Sequence, residues 1–131
     1  MEIIKGVRVY DIHDTIAALR TVVQGREDFV YTESEDYLQI GDGCVNWVLD
    51  GGNWRPSCIV GHVLTAWDYP DECKPHTRFS GPAGTLGVQD EICTATPKAL
   101  HILQVAQGRQ DNGGTWGEAL KRAEEKYAQY V

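Results

Sequence analysis

The sequence predicts an α+β domain, in which a small antiparallel sheet packs against about four helices and the last two helices form an antiparallel pair. Three observations predict it. Apolar residues recur at helical spacing after residue 11 and again through the C-terminal third. Residues 28–49 instead carry aromatic and β-branched side chains in short runs broken by glycine. The chain is 131 residues long, with 42% hydrophobic and 24% charged residues. That composition supports one buried core and excludes a collagen or a disordered chain.

Ile3 to Tyr10 alternates in part, with Val7 and Val9 on one side of Arg8, and reads as a short strand or an ordered arm. Ile12, Ile16, Leu19 and Val23 then fall at i, i+4, i+7 and i+11, one face of a helix over 12–24. Asp11 caps its start and Gly25 stops it. Phe29–Thr32, Tyr37–Ile40 and Cys44–Leu49 read as strands, the last two joined by a hairpin turn at Gly41-Asp42-Gly43. Asp50-Gly51-Gly52-Asn53 closes this region as a loop.

Ser57 reads as the cap of a short buried helix over 58–67, ended by Pro70. Residues 68–95 hold Pro70, Pro75, Pro82 and several glycines and read as an irregular loop or insert, with a short helix near 86–93 as the alternative. Thr96-Pro97 is a cap followed by proline at the first helical position. The helix after it, over 97–107, leaves only a polar stripe at Lys98, His101 and Gln104. Gly108 to Gly114 is a connector, and Thr115-Trp116-Gly117-Glu118 matches a capping box that opens a helix over 115–129. Trp116, Ala119 or Leu120, Ala123 and Tyr127 line its inner face, with Glu118–Arg122 and Lys121–Glu125 pairing outside.

Twelve basic and nineteen acidic residues give a net charge of −7, which argues against a surface for duplex nucleic acid. No apolar run approaches the length of a membrane span, and the first residues do not read as a signal peptide, so the expected location is the cytoplasm with reduced thiols. Walker, GxGxxG, GxSxG and HExxH motifs do not occur.

Two chemistries are written around Cys58 and His62, which share a helical face. A thiol in a helix's first turn is acidified by the dipole, so Cys58 is a candidate nucleophile of a hydrolase or transferase. Familiar Cys–His arrangements bring the base from a separate element, which argues against His62 and leaves His13, His76 or His101. Alternatively Cys58, His62, Cys73 and His76 supply the four soft or borderline ligands of a structural zinc. Against both stands the plainer reading of a small buried cysteine. Trp54 and Arg55, beside a glycine-rich turn, are candidate partner contacts, because Trp and Arg dominate binding hot spots. Arg109, Gln110 and Asp111 form a second candidate in a polar connector.

RPSCIVGHVLTAW at Arg55–Trp67 and AQGRQDNGGTWGEALKRA at Ala106–Ala123 resemble small uncharacterised proteins encoded by bacteriophages of actinobacteria. DFVYTES at Asp28–Ser34 and GCVNWVLDG at Gly43–Gly51 fall in the matching order, so the resemblance covers about half the chain. Residues 68–95 fall outside it. It implies an accessory protein at work in a bacterial cytoplasm and transfers no catalytic residue. The expectation is a non-catalytic protein without cofactor that binds a host or phage protein and forms a homo-oligomer. A cysteine enzyme, a zinc module and a small-molecule sponge are the alternatives.

Overall fold

A computed structural model describes residues 1–31, 47–70 and 93–131. The elements run β1 (Glu2–Ile4), β2 (Val7–Tyr10), α1 (Ile12–Val23), β3 (Trp47–Asp50), β4 (Asn53–Pro56), α2 (Ile59–Ala66), β5 (Cys93–Ala95), α3 (Pro97–Asp111) and α4 (Trp116–Tyr130). The architecture is α+β, with α3 and α4 packed together as the most extensive contact between elements.

Among the described residues the three-stranded sheet is mixed and is built from β1, β2 and β5. β1 and β2 form a hairpin in which Ile4 faces Val7, closed by Lys5 and Gly6, both at positive φ. Two positive φ values mark the turn whose twist matches paired strands. β5 then joins β2 in parallel, with Val9 opposite Thr94 and Tyr10 opposite Ala95. Cys93–Ala95 is therefore a strand at the end of the stretch read as irregular. The described end of the segment expected to supply the sheet is β3, which pairs with β4. Gly51 and Gly52, at φ 59° and 87°, form its turn, so the anticipated terminating loop reverses the chain within the pair. The turn expected at Gly41-Asp42-Gly43 and the strand at 37–40 lie outside the described residues, as does the alternative helix near 86–93.

The helix caps follow local chemistry. Asp11 and Asp14 exchange side-chain and backbone hydrogen bonds at the start of α1, at 2.9 and 3.1 Å. Thr96 Oγ1 accepts from the Ala99 amide at 3.3 Å, ahead of Pro97. Thr115 and Glu118 form the anticipated capping box on α4. Helix α2 begins one residue later than Ser57 predicts: Cys58 stands at the cap position and its side chain makes no capping bond. The end of α2 turns at Asp68, φ 55°, where the Asp68 and Tyr69 amides reach back to Thr65 and Leu64. This arrangement satisfies carbonyls that the helix leaves without partners. Arg8 adds a cation there, its guanidinium donating to the Trp67 and Asp68 carbonyls at 2.5 and 3.3 Å. Tyr10 stacks flat on Trp67 at 3.9 Å and donates its hydroxyl to the same Trp67 carbonyl. The small sheet is thereby fixed to the end of α2.

α1 touches α2, α3 and α4, and the core gathers around it. Ile16, Leu19 and Val23 of α1 meet Ile59, Val60, Val63 and Leu64 of α2 and Ile102 and Leu103 of α3 in one buried cluster with Trp47 and Trp116. Each such side chain contributes about 1.5–3 kcal/mol by leaving water. Lys98, His101 and Gln104 form the exposed stripe of α3, as their spacing predicts. Glu118, expected to pair with Arg122, turns instead to Arg109 at 2.8 Å. Among the described residues no helix is long and apolar enough to cross a membrane.

Candidate ligand pocket

The segment after α1 is short and tightly tied. Gly25, at φ 80°, turns the chain out of the helix, and the Glu27 carboxylate accepts from its amide at 2.8 and 3.1 Å. The Arg26 amide reaches back to the Val23 carbonyl, and the Phe29 amide to the Arg26 carbonyl. The first amides of α4 then clasp this segment. Trp116 donates to the Phe29 carbonyl at 2.8 Å and Gly117 to the Glu27 carbonyl at 2.9 Å, while Val30 bridges to Thr115. Helix N-termini leave amides unpaired, and here the chain segment itself satisfies two of them. The close approach requires glycine, since a Cβ at Gly117 would stand 2.9 Å from the Glu27 carbonyl oxygen.

This clasp holds Arg26 and Phe29 over the junction of α2 and α4. With His62 and Trp116 they line a recess of about 300 Å³. Phe29 meets the Trp116 ring edge-on at 4.7 Å, and His62 meets it edge-on at 4.9 Å. Trp116 is almost fully buried, and Phe29 is 45% exposed at the rim beside Val30, 44% exposed. Edge-to-face packing is the preferred geometry of such rings and fixes their orientation.

The polar groups of the recess are equally defined. The Cys58 carbonyl lies 3.0 Å from His62 Nδ1, and because a carbonyl only accepts, that nitrogen carries the proton. Burial holds the imidazole below the usual histidine range, with the Arg26 charge adding to it and the bond to Cys58 opposing it. The ring is therefore neutral near pH 7, and Nε2 is an acceptor without a hydrogen-bond partner among the described residues. The Arg26 guanidinium makes no ion pair among the described residues, and Glu27, next to it in sequence, is turned to the Gly25 amide. One cation, one acceptor and aromatic walls converge on a single concavity.

The residues singled out by sequence are distributed differently. Trp54 and Arg55 are neighbours on β4, whose alternation turns Trp54 inward, half-buried, and Arg55 outward. They do not share one face. Gln110, expected at a partner surface, is interior at 1% exposure. Its Oε1 accepts from the Ile59 amide at 2.8 Å and from the Trp116 indole at 3.1 Å. It thus supplies the cap that neither Ser57 nor Cys58 gives α2, and it pins the floor of the recess. Arg109 is half-buried and paired with Glu118, and Asp111 is exposed and accepts from Gln110 Nε2 at 3.0 Å.

Cys58 is completely buried, whereas a reactive thiol must be reached by its substrate. His62 bonds to its backbone carbonyl. His13 and His101 are exposed and lie against the Tyr127 and Tyr130 hydroxyls, at 2.8 and 2.5 Å. Cys73 and His76 lie outside the described residues, and among those described no cluster of three or more potential ligands could hold a metal. The sequence marks His62 for chemistry and Trp116 for the core alone. Nothing in the sequence marks Arg26, and the signal for Phe29 is an apolar Phe-Val pair following a run of charged residues after a helix stop. Comparison with protein-family models, curated proteins and solved structures yields no match.

Proposed function

We propose that the chain is a non-catalytic binding protein, a bacteriophage accessory protein of the host cytoplasm, that holds a host or phage protein through the recess of Arg26, Phe29, His62 and Trp116. The observation that carries this reading is the equipment of the recess: a guanidinium without an ion pair among the described residues, a neutral imidazole acceptor and aromatic walls. Such a set can orient and retain a group. Phe29 and Val30 extend the recess with an apolar rim, the composition typical of an interface centre. The resemblance of the Arg55–Trp67 and Ala106–Ala123 segments to phage proteins supports the setting.

The test is affinity capture from an actinobacterial lysate with three forms of the full chain: unaltered, Arg26→Gln with Phe29→Ala, and Arg55→Gln. Arg26 and Phe29 are exposed side chains, so melting curves are expected to coincide. The captured protein should be lost from the double variant and kept by Arg55→Gln. Equal yield from the double variant and the unaltered chain would refute the reading.

A further inference from the structure

We infer that the recess takes an aromatic side chain whose α-carbon also carries a carboxylate and an amide N–H, as found at the free C-terminal end of a protein whose last residue is aromatic. The inference rests on the binding reading above and specifies its ligand. Size comes first. About 300 Å³ is the lower bound for ligand sites, enough for one aromatic residue and too little for a dinucleotide. Charge comes second. Arg26 is a single guanidinium, whose planar fork matches the two oxygens of a carboxylate. A phosphate, with three oxygens and more charge, would call for further donors, and His62 offers none: its one N–H is committed to the Cys58 carbonyl.

The acceptor comes third. Nε2 of the neutral His62 would repel a bare anion and must be met by a donor. The amide N–H beside a terminal carboxylate supplies that donor one bond from the α-carbon that also carries the ring. The ring then has partners of its own kind in Phe29 and Trp116, already set edge to face. A free acylated aromatic amino acid has the same chemistry as a chain end, so the probes must separate the two sources.

Isothermal titration calorimetry on the full chain makes the test, with N-acetyltyrosine, its amide, and the tetrapeptide Gly-Gly-Gly-Tyr with and without a free carboxylate. The acid forms should bind about ten-fold or more tightly than the amides, the difference of one charge-assisted bond. Arg26→Gln should bring the acids down to the level of the amides and leave the amides unchanged, while Arg55→Gln changes neither. Tetrapeptide binding at least as tight as N-acetyltyrosine assigns the site to a chain end; its exclusion with N-acetyltyrosine still bound keeps the ligand chemistry and refutes the protein partner. Equal affinity of acid and amide, or no binding of either, overturns the inference. If capture from lysate still depends on Arg26 and Phe29 in that case, the pocket reading survives and only the ligand class falls.

Discussion

The carboxamide of Gln110 accepts two hydrogen bonds inside the molecule, from the first amide of α2 and from the indole that floors the pocket. Both donors are buried, and a buried donor deprived of its acceptor costs about 1–3 kcal/mol. Gln110→Met keeps the length of the side chain and removes the acceptor. The variant should lose about 2–4 kcal/mol in urea unfolding, far more than a glutamine truncated at a helix surface. A loss below about 1 kcal/mol would show that neither bond matters in the native state. The same residue explains why a cysteine can occupy the cap position of α2. Capping residues are polar because they must accept an amide hydrogen, and here the acceptor arrives from the last turn of α3, leaving the Cys58 side chain to fill space in the core.

At the scale of elements, the clasp between the Glu27–Val30 segment and the start of α4 decides where Arg26 and Phe29 sit. Replacing a helical glycine by alanine ordinarily stabilises a protein by roughly 1 kcal/mol. Gly117→Ala should do the reverse, because the new methyl would stand 2.9 Å from the Glu27 backbone oxygen and break the bond that the Gly117 amide makes there. Its melting temperature should fall, and hydrogen exchange at residues 27–30 should accelerate while α3 stays protected; a gain in stability would mean that the segment yields without cost. This element also shows what the sequence could and could not display. The helices were legible because their signals are local: Asp11 before its periodic run, Thr96-Pro97, and Thr115 three residues ahead of Glu118. The sheet was not, because Val9 pairs with Thr94 across most of the chain and no local pattern encodes a distant partner. Gly51-Gly52 carries a turn signal, but a signal that reads equally as a terminating loop does not show that the chain reverses there into a paired strand. The pocket draws on the turn after α1, on α2 and on α4, so of its residues the sequence marks only His62 for chemistry, and for a different one.

At the scale of the whole molecule, the pocket ties stability to pH. His62 is held neutral, chiefly by burial, so its folded-state affinity for protons is below that of the unfolded chain. As pH falls through about 6.5 the unfolded state takes up the proton first, and mass action draws the protein toward it. Stability from this group is therefore complete above that pH and declines below it, until the folded state itself titrates. Glu118 acts lower on the scale. The Thr115 amide and then Arg109 hold its carboxylate down to about 2 from an ordinary 4.5, so its contribution is present above 4.5 and is lost as pH falls toward 2. Urea midpoints measured from pH 8 to pH 3 should fall in two steps. His62→Gln should flatten the upper step and leave the lower one, and Glu118→Gln should reduce the lower step, which the lowered Asp14 carboxyl shares, and leave the upper one. Arg26→Gln should narrow the upper step, because removing the neighbouring positive charge lets the folded imidazole take its proton at a higher pH. An upper step of undiminished size in His62→Gln would place the acid sensitivity in some other group and remove the argument that His62 Nε2 is an available acceptor near neutral pH.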